Sequence, residues 1–245
     1  MRKAMWLLPL LALGACEMHG GQGDGHDGTE LSGKTGRRDF QVGAFDRVEL
    51  AGSHDVIVKV GGAPSVYAEG DTAILEKLEV SVEGGVLRIG QKRTKFFGWR
   101  KDRSPVVVHV TAASLRGAEV AGSGDMKIDR VQGDAFAASI AGSGELDVAS
   151  LTAKTASFSI AGSGAVSAAG AAETADFDIA GSGDVRAGGL QVKRAKVSIA
   201  GSGNVEAKAM ESADISIMGS GDVTMAGTAK CNVSKMGSGQ ARCGG

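Results

Sequence analysis

The sequence predicts an all-β protein: a single-stranded β-helix, or β-solenoid, wound in coils of 18–20 residues. Three observations predict it. The tetrapeptide Ala-Gly-Ser-Gly begins at Ala121, Ala141, Ala161, Ala180 and Ala200, and Met-led variants begin at Met218 and Met236, so successive copies stand 20, 20, 19, 20, 18 and 18 residues apart. Apolar and polar residues alternate on both sides of each copy, the period of a half-buried strand. No helical pattern follows the glycines.

The strand before each corner is read by counting back from its first glycine. Two positions before stand Val120, Ile140, Ile160, Ile179, Ile199 and Ile217; four before stand Ala118, Ala138, Phe158, Phe177, Val197, Ile215 and Val233. Phe136, Ala156, Ala175, Ala195, Ala213 and Cys231 stand six before, with serine or aspartate at the intervening third position. Phe158 and Phe177 fill one slot in successive coils, so their rings should stack inside. The strand after the corner carries Met126, Leu146, Val166, Val185, Val205 and Val223 at plus four, then Ile128, Val148, Ala168, Ala187, Ala207 and Met225 at plus six. A cluster at plus nine (Val131, Leu151, Ala171, Leu190, Met210) predicts a third, shorter side. One such coil cannot bury its own apolar face; stacking closes backbone hydrogen bonds and core together.

Glycine dominates the corner because a tight turn needs positive φ and leaves no room for Cβ. The central serines (Ser123, Ser143, Ser163, Ser182, Ser202, Ser220, Ser238) form a predicted ladder along one edge, each hydroxyl bonding backbone at the bend. A catalytic serine has no reason to recur seven times, and the Gly-x-Gly lacks the following helix of a dinucleotide site. The same grammar returns in a worn form at the front, where Val48 and Leu50 precede Gly52-Ser53-His54 and Val56 and Val58 follow. Further strands are read at 65–69, 78–82, 86–89 and 106–110, with one helical turn at 73–78. Residues 39–115 are thus irregular N-terminal β coils or a cap, and 116–245 the regular β-helix.

The N-terminus carries an address. Arg2 and Lys3 precede a short apolar run, Trp6 to Leu13, ending in Leu13-Gly14-Ala15-Cys16; a basic start and an apolar core too short to span a bilayer make residues 1–15 a signal peptide. The cysteine after Leu-Gly-Ala resembles the lipobox of bacterial lipoproteins, which implies lipid attachment at Cys16. Glu17, not aspartate, follows it, and this favours the outer membrane; the periplasmic or external face stays open. Residues 16–38 are Gly-rich and polar and read as a flexible tether. His19, His26, Asp24 and Asp27 within it do not make a specific metal site.

The formal net charge of -1 excludes wholesale nucleic-acid binding. With 42 % hydrophobic and only 4 % aromatic residues, the composition suits a thin core of small side chains. Cys231 and Cys243 lie six positions either side of Gly237, both at inward parity, and predict a disulfide across the last coil; the alternative is two buried thiols. Lys235 stands where the earlier coils have valine or isoleucine, as suits an end.

One segment stands out for binding: 91–103, in which Lys92, Arg93, Lys95, Arg100, Lys101 and Arg103 surround Phe96, Phe97 and Trp99. Basic and aromatic residues together suit anionic lipid headgroups, lipopolysaccharide phosphates or acidic glycans; alternatively the aromatics plug the end of the solenoid. Acids follow many corners (Asp125, Glu145, Asp184, Asp222), but Ala165 interrupts the series and the nine-residue calcium motif is absent. Asp176 and Asp178 share an outward face with Asp214 two coils on, without a repeated basic partner, and His54 and His109 are lone residues in strands. The reading is therefore non-catalytic, without cofactor or metal.

The order "FDRVELAGSHDVIVKVGG", "LEVSVEGGVLRIG", "VVVHVTAASLRGAEVAGSGDM" and tandem "SIAGSGDV"-like repeats resembles the auto-transporter adhesin head GIN domain family (DUF2807) over residues 40 to 242. That resemblance implies a right-handed β-helix in a bacterial envelope protein and transfers no catalytic or ligand residue. The expected function is a lipid-anchored surface-binding or adhesin module, with membrane, anionic lipid or glycan partners or a second copy of itself. A periplasmic envelope-maintenance lipoprotein and, more remotely, a glycan-processing β-helix enzyme are the alternatives.

Overall fold

The computed structural model describes residues 32–92 and 106–244. The β-solenoid is present as predicted: seventeen strands join one continuous sheet that wraps a single core. On its first side, β2 (Arg47–Gly52), β8 (Gly117–Gly122), the later parts of β10 (Val131–Gly142), β11 (Glu145–Gly162), β12 (Ala165–Gly181), β13 (Asp184–Gly201) and β14 (Asn204–Gly219), and then β16 (Lys230–Met236) run parallel. After the glycine corner a second side follows. It is built from β3 (Asp55–Val60), β9 (Met126–Ile128), the early parts of β11 to β14, β15 (Val223–Ala226) and β17 (Ala241–Cys243). Register is letter over letter: Ile140 lies on Ile160, Ile160 on Ile179, and Gly142 on Gly162.

The corner glycines are held by this stacking. Gly142 has φ 139°, and a Cβ on it would sit 2.2 Å from the Gly122 carbonyl oxygen. A Cβ on Gly144 would sit 2.2 Å from the Gly124 oxygen. No side chain fits at either position while the coils remain in contact. The serine between them acts through its backbone: Ser143 N–H donates to Gly122 O at 2.9 Å, and Ser163 N–H to Gly142 O at 2.9 Å. The predicted hydroxyl-to-backbone bonds are not what the structure uses. The hydroxyls are exposed, and the one hydroxyl bond in the ladder joins Ser220 to Ser238 at 3.0 Å.

Coil length varies on the third side. There Val131 lies on Leu151, but Leu151 lies on Gly170 and Gly170 on Leu190, with register shifts between Val148 and Leu151, Ser167 and Ala169, and Ala187 and Gln191. Consequently Ala171 is exposed and Met210 half-buried, contrary to the plus-nine expectation, while Ala172, Val192 and Ala209 are buried. The shorter spacings are absorbed here as bulges between the two regular sides.

The layers are not in sequence order at the start. β6 (Val86–Gln91) pairs with β2 on the edge opposite β8, and β7 (Val107–Ala112) pairs with β3 on the edge opposite β9. The β6–β7 layer therefore lies beneath the β2–β3 layer, and β8 returns above it. Antiparallel strands close this end: β5 (Leu78–Glu83) against β6 through the Gly84-Gly85 turn, and β4 (Ser65–Asp71) between β7 and β1 (Thr35–Phe40). A short helix α1 (Thr72–Lys77) joins β4 to β5, capped by Asp71, whose carboxylate also accepts from Ser32 and Gly33. The tether expected over 16–38 thus gives way to structure earlier, because β1 gains its order from pairing with β4 and not from apolar residues of its own.

At the other end no described coil lies above the last one. Cys231 and Cys243 form a disulfide there, with Cys231 half-buried and Cys243 exposed, not inward and buried as parity alone implied. Val233 is 42 % exposed for the same reason. Lys235 lies on Ile217 and its ammonium donates to Gly239 O at 3.4 Å.

Candidate functional site

Cys16 lies outside the described residues, as do Arg93, Lys95, Phe96, Phe97, Trp99, Arg100, Lys101 and Arg103; of the basic-aromatic segment only Lys92 is described, and it is exposed. The ends of that segment are placed. The Lys92 N–H donates to Lys77 O at 3.0 Å at the end of β6. Val106, 2 % exposed, accepts from Asp55 N–H at 3.3 Å where β7 begins. The segment therefore joins β6 to β7 at the place where β2 meets β3 through Gly52-Ser53-His54 and β8 meets β9 through Gly122-Ser123-Gly124.

The other corners use their polar side chains on themselves. The Asp125 carboxylate accepts from Glu145 N–H at 3.0 Å, the Asn204 side-chain oxygen from Asp222 N–H at 3.3 Å, and the Asp222 carboxylate from Gln240 N–H at 2.8 Å. These oxygens satisfy donors of the next coil at the points where the chain turns away from the ladder. Among the described residues no three His, Cys, Asp or Glu side chains group to hold a metal ion.

The outer face of the first side carries a feature that the sequence reading missed. Arg47, Arg88 and Arg116, with Glu49 and Glu119, line a concavity of about 460 Å³ that Gly117 and Ala137 also line. Arg88 pairs with Glu49 at 3.2 Å and Arg116 with Asp46, while Arg47 has no ion pair among the described residues. The stem of Arg47 lies over Gly117, where a Cβ would be 3.3 Å from Arg47 Cγ. The adjacency of Arg47 and Arg88 is not legible in the sequence, because β6 and β2 are neighbours only through the inverted layer order. Farther along the same face Asp176, Lys196 and Asp214 stand in register, so the acids do have one basic neighbour between them.

Both lone histidines have structural surroundings. His109 stacks on Tyr67 with centroids 4.5 Å apart, Arg37 covers the Tyr67 ring at 3.7 Å, and Glu69 lies 3.8 Å from His109 Nε2. His54 is 6 % exposed, its Nε2 has no hydrogen-bond partner among the described residues, and burial lowers its pKa below the ordinary 6.5, favouring the neutral ring.

The match to known proteins rests on this layered core. The model of the "putative auto-transporter adhesin, head GIN domain" family (DUF2807) matches residues 44–229, more than half of the chain. The chain belongs to that family. The GIN-domain head is similar to a crystal structure from Bacteroides fragilis described as a putative adhesin: TM-score 0.78, 24 % identity, covering 87 % of this chain and 99 % of that one. A structure from Parabacteroides distasonis, described as a putative lipid binding protein, aligns with TM-score 0.68 and 25 % identity over 86 % of this chain and 98 % of its own. A putative adhesin from Parabacteroides merdae gives 0.66 and 19 % over 86 % and 98 %. No curated protein matches the sequence. These likenesses establish the fold of the GIN-domain head along nearly its whole described length.

Proposed function

We propose that this GIN-domain head is a non-catalytic binding module of the bacterial cell envelope, tethered through a lipid on Cys16, that engages anionic surfaces through the 92–103 segment. One observation carries the reading: a stretch of sequence with six basic and three aromatic residues connects β6 to β7, and the described residues at its two ends, Lys92 and Val106, are held by backbone bonds to Lys77 and Asp55. Elsewhere the corner acids are engaged within the solenoid: Asp125 and Asp222 accept from backbone N–H groups of the next coil, Asp184 from the Asn204 side chain, and Glu145 pairs with Arg186. The family's adhesin description and the P. distasonis relative's description as lipid-binding favour the same class of function.

A basic residue close to an anionic membrane contributes about 1 kcal/mol, so the six together can hold the head at a surface and three aromatics can enter the headgroup region. The test uses the chain from Glu17 onward, which removes the lipid's own contribution. Binding to phosphatidylglycerol vesicles is expected, with loss at high salt and a loss of more than about tenfold when Lys92, Arg93, Lys95, Arg100, Lys101 and Arg103 are changed to Gln. Equal binding by wild type and variant rejects the segment as the contact. Protease shaving of intact cells then separates an external adhesin, which is cut, from a periplasmic maintenance lipoprotein, which is not.

A further inference from the structure

The outer face of the first side is a sheet surface that none of the described residues covers. Its column nearest the corner reads Ala51, Ala121, Ala141, Ala161, Ala180, Ala200, Met218 and Met236 in register, with Gly90 beside Ala51. Met218 is 61 % and Met236 72 % exposed, two of the three exposed large apolar residues among those described. The middle column is mostly serine: Ser139, Ser159, Ser198, Ser216 and Ser234. Charge on the face is mixed. Arg47 and Arg88 stand with Glu49 and Glu119 toward the N-terminal end, and Asp176, Asp178 and Asp214 stand with Lys196 toward the C-terminal end.

We propose that two copies of this chain pair through this face, antiparallel, about a two-fold axis that runs along the strands over β11. Such an axis keeps each column facing itself and exchanges β12 with β10, β13 with β8, β14 with β2 and β16 with β6. The exchange fits in size and in charge. Met218 falls opposite Ala51 and Met236 opposite Gly90, so the two projecting side chains meet the positions with least bulk. Asp214 falls opposite Arg47, the arginine without an ion pair among the described residues, and Lys196 falls opposite Gly117 beside Glu119, which likewise lacks one. Ser157 and Ser159 meet their own copies at the axis.

The contact is isologous, so it closes at two chains. The face spans ten strands, β5 and β6 through β16, and strand segments of about six residues. At about 4.8 Å between strands and 3.3 Å per residue it covers roughly 800 Å², the area each partner contributes to a stable interface. The arrangement puts the two β1 strands at opposite ends of the pair. A dimer of this kind either lies flat on one membrane or joins two.

The experiment uses the full chain in detergent and in its own cells. Light scattering should give the mass of two chains. Ser159→Cys, at the axis, should give a covalent dimer on a non-reducing gel, and Ser167→Cys, on the outer face of the second side, should not. Arg47→Asp and Asp214→Arg should each weaken dimerisation more than tenfold, and the two together in one chain should restore it. A one-chain mass with no Ser159→Cys cross-link overturns the proposal, and so does a chain in which Arg47→Cys links to its own copy, since that requires parallel packing.

Discussion

Phe158 lies on Phe177 with ring centroids 5.4 Å apart and planes 10° from parallel, and Phe136 meets Phe158 edge-on at 6.5 Å. With Phe45 near the N-terminal end, these three rings are the largest side chains of a core otherwise made of Ala, Val, Leu, Ile and Met. Phe158→Ala is expected to cost about 3–5 kcal/mol, seen as a lower thermal midpoint. It should exceed the cost of Ala156→Gly in the same coil. A loss under about 1 kcal/mol would mean that the interior is not closely packed at this layer.

The corner glycines give a sharper contrast. Gly142→Ala and Gly144→Ala each place a methyl group 2.2 Å from a carbonyl oxygen of the coil below, and Gly142 has positive φ as well. Either should destabilise by about 2–4 kcal/mol. Gly133→Ala, where nothing lies within 4 Å of the new Cβ and φ is not positive, should change stability by less than about 0.5 kcal/mol. Chemical denaturation of the three variants checks the ranking.

The repeats were readable because most coils use one letter for one job: Ile before the corner from Ile140 to Ile217, Gly at every bend, and Val after it from Val166 to Val223. Two things escaped. The layer inversion of β6–β7 beneath β2–β3 depends on pairing across distant segments, for which residues 86–89 and 106–110 carry no more than a general strand pattern. The Arg47–Arg88–Arg116 cluster follows from that inversion and so was hidden with it. The slip at Ala171 and Met210 has a different cause. The spacings announce that residues are lost, but only the ladder shows that the third side loses them.

The terminal staple should act locally. The twelve-residue separation of Cys231 and Cys243 gives a loop whose closure is worth about 3 kcal/mol in the chain-entropy account. In the Cys231→Ser, Cys243→Ser double variant, amide exchange is expected to rise across β15, β16 and β17, with exchange in β11 and β12 unchanged. Uniform acceleration along the chain would show that the last coil supports the whole stack.

His54 makes stability depend on pH. Burial holds its folded-state pKa below the ordinary value, so between that lowered pKa and about 6.5 the unfolded chain binds a proton that the folded one refuses. Stability should fall as pH drops below about 6.5, by at most about 1.4 kcal/mol per pH unit. His54→Gln should remove that part of the slope. Thermal midpoints of both proteins between pH 8 and pH 5 check it, and identical slopes would place the titration elsewhere.

The winding itself is tested by spin-label distances among the corner serines. With one label at Ser143 and the second at Ser163, Ser182, Ser202 or Ser220 in turn, separations should grow by about 4.8 Å per coil, to roughly 19 Å at Ser220. Labels at Ser53 and Ser123, distant in sequence, should read as adjacent layers. Distances that rise and fall along the series, or a wide separation of Ser53 from Ser123, would contradict the stacked architecture on which the binding face and the dimer both depend.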